Sequence, residues 1–190
     1  MVERTELPLF AWGSTRQATR VRRVRVRRLG VVASSGIALI GVTIVTQPNP
    51  RLVWNASASA PVGLYVVTPG ATVRQGNMVI ARLAEPMQTL AATRHYLPAN
   101  VPLVKQVAAL SGAMICAHGL AISINGIRVA TRRRRDRAGR LMPWWTGCQR
   151  LRSGFVFLLM PRVRDSFDGR YFGPTRASDI VGKARLLWAR

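Results

Sequence analysis

From Leu29 to Thr46 the chain reads LGVVASSGIALIGVTIVT, eighteen residues without a charge. As a helix this run is about 27 Å long, close to the hydrocarbon thickness of a bilayer. A core helix of that length shows a polar stripe, whereas this one is apolar all round. It is expected to span a membrane. The 28 residues ahead of it are polar and basic, with seven arginines between Arg16 and Arg28 and no acid among them. Such a bias holds the tail in the cytoplasm and sends everything after Thr46 outward. The expected organisation is therefore a basic cytoplasmic tail (1–28), a transmembrane anchor (29–46) and an exported domain (47–190).

A cleaved leader is the competing reading, because Ala58 and Ala60 flank Ser59 as the small-residue pattern A-x-A. The apolar run, however, exceeds the roughly 7–15 residues of a leader's hydrophobic core. Fourteen residues, Gln47 to Ala60, separate it from the would-be cut. Pro61 would follow that cut directly, and its fixed ring and missing N–H suit poorly a protease that binds substrate as a strand. The anchor is expected to stay.

The 190 residues carry 29 basic and 7 acidic side chains, a formal net charge of +22. That excess points to an anionic partner, nucleic acid or a membrane surface. Only Lys105 and Lys183 are lysines, and the other 27 basic side chains are arginines. Arginine does not give up its proton near neutral pH, so a surviving lysine stands out.

Beyond the anchor the pattern is mostly strand. Asn77–Leu83, Val101–Leu110, Phe155–Met160 and Asp179–Trp188 are short apolar runs rich in β-branched residues. Ala121–Ala130 reads as a hairpin turning at Asn125-Gly126, a pair suited to the positive φ angles of a type I′ turn. One helix is expected over Glu85–Tyr96, barred from continuing by Pro98. Thr131–Gln149 has no clear period and is expected to be a long exposed loop. No repeat, helix-turn-helix or metal-type cluster is visible. The exported part is expected to be a small, mainly antiparallel β domain.

A hydrolase needs a nucleophile and a group to deprotonate it. His95 and His118 sit in no recognisable motif and are expected to be surface or structural residues. The remaining base is Lys105, inside the apolar run PLVKQVAAL. Desolvation by such neighbours penalises an ammonium and turns a lysine toward general-base work. On pattern alone the alternative stays open: an edge-strand lysine with its head in water.

Three collinear blocks add to this reading. NASASAPVGLYVV holds Ser59, LVKQVAALSGAMIC holds Lys105, and DSFDGRYFGP (Asp165–Pro174) is followed by IVGKARLLW. Together they resemble the signal peptidase superfamily, and most closely the TraF-type peptidases of conjugative transfer systems. Gln106, Ser111, Ala113, Gly169 and Leu186 depart from that pattern, though none removes a nucleophile or a base. The departures bear on cleavage preference.

The resemblance implies a signal-peptidase-like antiparallel β-barrel or sheet behind a single anchor in the inner membrane, with the catalytic domain in the periplasm. It casts Ser59 as nucleophile, Lys105 as base and Ser166 as the group orienting Lys105. Asp168 matches the family's essential acid, and Arg170 pairs with it. Ser59 N–H and the Ser57 hydroxyl would form an oxyanion hole, with ordinary loop hydrogen bonding the alternative for Ser57. It also implies a pilin precursor as substrate, trimmed and joined head to tail, other conjugative transfer proteins as partners, and no cofactor. In an oxidising periplasm Cys116 and Cys148 are expected to be disulfide-bonded.

Two rival classes remain. One is a non-enzymatic envelope subunit of the secretion channel, with general leader hydrolysis kept as the fallback within the peptidase reading. The other is a nucleic-acid binder, motivated by the charge and by Trp144 and Trp145 beside the arginine-rich loop. The expected topology argues against the second, since an exported domain rarely meets DNA.

Overall fold

The apolar run forms the second half of one helix, α1 (Trp12–Thr46). In this computed structural model, which describes residues 12–46 and 49–190, the basic segment continues the same helix without a break at residue 28. Arginine is a good helix former, so nothing local ends it there. The stretch Arg20–Ile44 is long and apolar enough to cross a membrane. Residues 1–11 of the expected tail, and Gln47 and Pro48, lie outside the described residues. The chain divides into two units, Met1–Pro48 and Asn49–Arg190.

The second unit is built from antiparallel strands. Its larger sheet takes β1 (Leu52–Asn55), β2 (Gly63–Thr68), β3 (Met78–Ala81) and β4 (Leu103–Ala109). The smaller one takes β5 (Met114–His118), β6 (Ala121–Ile124), β7 (Ile127–Thr131) and β8 (Gly147–Arg150). The chain then returns to the larger sheet through β9 (Phe155–Leu159), β10 (Thr175–Arg176) and β11 (Ile180–Ala189). The strand orders are β1-β2-β11-β3-β4-β9-β10 and β7-β6-β5-β8. β1 and β10 are the free edges of the larger sheet, so among the described residues it is open and not closed into a barrel.

β4 runs between β3 and β9 with both faces covered. Val104 packs with Tyr65, Val67, Ile80 and Val181, while Val107 packs with Val79, Val156 and Leu158. Phe157 and Leu159 of β9 join Ile115 and Ile122 beneath the smaller sheet, so β9 ties the two sheets into one core. Burial on both faces explains why β4 and β9 read as continuous apolar runs.

The turn at Asn125 (φ 50°) and Gly126 (φ 82°) has the positive angles expected of it. The expected helix over Glu85–Tyr96 shortens to α2 (Met87–Thr93), which begins directly after Pro86. A proline at a helix entrance lacks only a donor that no intrahelical acceptor needs. Thr131–Gln149 departs furthest from expectation. β7 takes its first residue, β8 takes its end, and Arg132 within it is 1% exposed. That guanidinium lies 3.4 Å from the ring centroid of Trp144, and its Nε donates to Gly119 O at 3.0 Å. These contacts order a segment that has no periodicity to announce it.

Candidate active site

The loop after β1 carries Ser59, and a buried asparagine shapes it. Asn55 Nδ2 lies within donating distance of Ser57 O (2.9 Å), Pro61 O (3.0 Å) and Ala60 O (3.1 Å). Asn55 Oδ1 accepts from Ser57 N–H at 3.1 Å. One side chain thus holds five residues of irregular backbone in place of a regular ladder. Nothing in the sequence marked Asn55. The only available signal was an amide side chain four residues before Ser59, at the end of a strand.

Ser59 Oγ lies 2.7 Å from Lys105 Nζ and 2.9 Å from Ser57 Oγ. Ser59 N–H is directed at Ser57 Oγ at 3.3 Å. The two groups named as oxyanion donors therefore face each other here. Lys105 reaches the serine from the middle of the larger sheet, where Val79 is its partner on β3. The lysine is 2% exposed, which excludes an edge residue with its head in water. Burial pulls its ammonium down from 10.5 to about 8, with the Asp168 carboxylate raising it and the Arg170 guanidinium lowering it.

Nζ also donates to Ser166 Oγ at 3.1 Å. Ser166 belongs to the segment between β9 and the short helix α3 (Gly169–Phe172), and a buried ion pair fixes that segment. Arg170 and Asp168, 1% and 0% exposed, meet side-on through Nε–Oδ1 (2.8 Å) and Nη2–Oδ2 (3.0 Å). Arg170 also donates to the carbonyls of Met160, Val163, Arg164 and Thr131. Asp168 accepts from the backbone N–H groups of Met160 and Arg170. Two charges taken from water are tolerable only when each has such partners. The consequence is local: the turn leading to Ser166 is held from three carbonyls.

Gly169 explains one departure from the family pattern. A Cβ there would lie 2.6 Å from Leu158 O and 2.7 Å from the Phe157 ring. The backbone of β9 cannot yield as a side chain end can. Gly169→Ser is expected to cost about 1–3 kcal/mol and to lower the thermal unfolding midpoint of the protein. An unchanged midpoint would show that β9 and α3 are less closely packed than described.

A cleft of about 850 Å³ opens over Ser59 and Lys105, walled by residues such as Trp54, Tyr96, Met142 and Phe167. Neither histidine lines it. His95 sits at a turn with φ 57°, and His118 Nε2 lies 3.4 Å from Cys148 Sγ. Cys116 and Cys148 face each other on β5 and β8 and form a disulfide. The fold thus gathers two cysteines and a histidine that the sequence showed as no cluster, but both sulfurs are committed to each other. The aromatic pair has internal work as well. Trp144 lies over the buried Arg132 guanidinium, and Trp145 Nε1 donates to Gly169 O at 3.1 Å.

Residues 25–189 match the family model described as signal peptidase, peptidase S26, and the chain belongs to that family of serine peptidases. It is 30% identical over 178 residues to the conjugal transfer protein TraF of Agrobacterium fabrum, covering 88% of this chain and 97% of that relative. The crystal structure of a signal peptidase I from Enterococcus faecalis is 15% identical, with a TM-score of 0.35 over 60% of this chain and 97% of that one.

Proposed function

We propose that the protein is a membrane-anchored endopeptidase with Ser59 as nucleophile and Lys105 as general base. One observation carries the reading: a lysine 2% exposed places Nζ 2.7 Å from a serine hydroxyl that borders an open cleft. Neutral Lys105 takes the proton of Ser59 as Oγ bonds to the scissile carbonyl carbon. The resulting ammonium passes that proton to the departing amine, which leaves an ester on Ser59. A second nucleophile then attacks the ester, gives its proton to Lys105, and Ser59 recovers it on release. Ser166 fixes Nζ against rotation, and the Asp168–Arg170 pair holds Ser166. Ser59 N–H and Ser57 Oγ serve the oxyanion once the Ser57 hydroxyl turns away from Ser59.

Only the neutral amine accepts a proton, so activity follows deprotonation of Lys105. With its pKa lowered to about 8, kcat/KM is expected to rise roughly tenfold per pH unit on the acid side and to level off above that value. A profile flat from pH 6 to 9 would contradict the assignment.

The name of the Agrobacterium relative supports a role in conjugal transfer. In this reading α1 anchors the protein in the inner membrane, its arginine-rich end in the cytoplasm and the peptidase unit in the periplasm. The substrate is a pilin precursor, and its own N-terminal amine competes with water for the acyl-enzyme because it is tethered nearby. Membranes carrying the protein, incubated with the cognate pilin, are expected to release a circular product lighter than the trimmed linear chain by one water. Linear product alone, from the native substrate, would reduce the activity to leader-type hydrolysis. The nucleic-acid reading gains no support from Trp144 and Trp145, since one face of Trp144 is taken by Arg132 and Trp145 Nε1 by the carbonyl of Gly169.

A further inference from the structure

The cleft over Ser59 is lined by charge as well as by apolar side chains, and the charge is one-sided. Its two carboxylates are already engaged. Asp136 accepts from the Tyr96 hydroxyl and from Arg140 Nε at 2.7 Å. Asp165 is bracketed by Arg133 at 3.0 Å and Arg137 at 2.8 Å. Tyr96 foremost, then Arg140, hold the Asp136 carboxyl well below the usual range, so it stays ionised and paired at any pH relevant to the cleft. Three lining arginines are left over. No ion pair reaches Arg135, Arg162 or Arg164 among the described residues. Arg135 spends one donor on Gly139 O, whereas among the described residues no side-chain hydrogen bond engages the guanidinium of Arg162 or Arg164.

The place of the last two is informative. They flank Val163 in the turn between β9 and Ser166, and Arg170 grips that turn through Val163 O and Arg164 O at 3.0 and 3.2 Å. The backbone beneath the two arginines is therefore held by Arg170 at Met160 O, Val163 O and Arg164 O. Ser166, two residues on from Arg164, touches the Nζ that faces Ser59. Arg164 feels the field of the neighbouring Asp165, which Arg133 and Arg137 already pair, and no ion pair reaches Arg162 among the described residues. Net positive charge of this kind on a held turn beside a cleft favours an anion on whatever enters. Like charge placed there is rejected by the same field.

We infer that Arg162 and Arg164 are specificity residues that select substrates carrying an acidic side chain close to the scissile bond. This rests on the peptidase reading given above and names its substrate class: an acidic peptide segment within a few residues of the cut. Both arginines are exposed and salt-screened, so the discrimination is moderate and falls as ionic strength rises.

The test uses the full chain in detergent and internally quenched decapeptides. Each peptide has alanine one and three residues before the intended cut, with Glu, Gln or Lys placed in turn at every other position. At least one position is expected to favour Glu over Lys by about tenfold in kcat/KM at low salt. Charge reversal in Arg162→Glu/Arg164→Glu is expected to invert that preference toward Lys. A gain on the Lys peptide cannot come from misfolding. The inference is overturned if no position discriminates beyond about twofold, or if the Glu preference survives the double reversal. Ser59→Ala on the same peptides separates the two readings. Cleavage that persists in it overturns the peptidase assignment, whereas Ser59-dependent cleavage with a flat charge profile overturns only the role of the arginines. Failure of the parent protein to cut any peptide overturns both.

Discussion

Lys105→Arg is expected to lower peptide cleavage by about 10³-fold or more, because a guanidinium beside Ser59 keeps its proton throughout the working range. Ser59→Ala is expected to be at least as severe, and the double variant no worse than either, since the two residues act as one unit. A loss of activity through unfolding must be told apart from a loss of the base. Lys105→Met does so by a change of opposite sign. The lysine is 2% exposed, and its pKa falls from 10.5 to about 8 in the folded protein. Below about 8 it is charged in both states, and the folded state alone bears the desolvation. Between about 8 and 10.5 the unfolded chain binds the extra proton, so stability rises with pH and the penalty fades. Lys105→Met is therefore expected to be inactive yet to melt higher than the parent at pH 7. The gap should narrow as pH rises through that window. An inactive variant that melts lower at every pH would point to a structural lysine instead.

The second large effect lies in the ion pair beneath the site. Asp168→Ala removes the carboxylate from Arg170, which is 1% exposed and cannot reach water without breaking its carbonyl contacts. Breaking a buried pair from one side costs about 3–5 kcal/mol. For a unit of this size that is roughly 10–15 °C in thermal midpoint. Asp168→Asn keeps an acceptor and the shape, and should cost less. Asp168→Ala/Arg170→Met should recover part of the loss, because it removes the stranded charge along with its partner. Full additivity of the two single changes would show that the residues do not form one buried unit. The same variants report on Ser166, since Arg170 holds the turn that carries it. Their residual activity on peptides should fall through kcat more than KM.

These two sites differ in how far the sequence disclosed them. Lys105 and Ser59 stood in short blocks whose order matched a family pattern, and Lys105 was conspicuous as one of two lysines among 29 basic residues. β4 and β9 showed themselves as apolar runs, and Asn125-Gly126 marked its own turn. What stayed hidden was held by side-chain contacts between residues far apart in the chain. Asn55 organises the serine loop through polar contacts to the backbone of Ser57, Ala60 and Pro61 that leave no period in the sequence. Arg132 looked like one more charge in an exposed arginine run. It is instead sunk between Trp144 and the carbonyl of Gly119, with Nη2 lacking a hydrogen-bond partner among the described residues. β1, β8 and β10 carried too few residues, or too exposed a pattern, to declare a strand on their own. Charge patterning was equally ambiguous. An excess of arginine looks the same whether it covers a solvated face or walls a cleft, and only the fold assigns Arg162 and Arg164 to the latter.

The central claim is that Lys105 makes Ser59 the acyl acceptor. Rapid acid quenching of the protein with a cleavable peptide ester, followed by peptide mapping in a mass spectrometer, tests it most directly. The acyl mass is expected on the tryptic peptide containing Ser59 and on no other, accumulating faster as pH rises toward about 8, and absent in Lys105→Arg. An adduct on a different residue, or one that forms on Ser59 at an undiminished rate in Lys105→Arg, would contradict it.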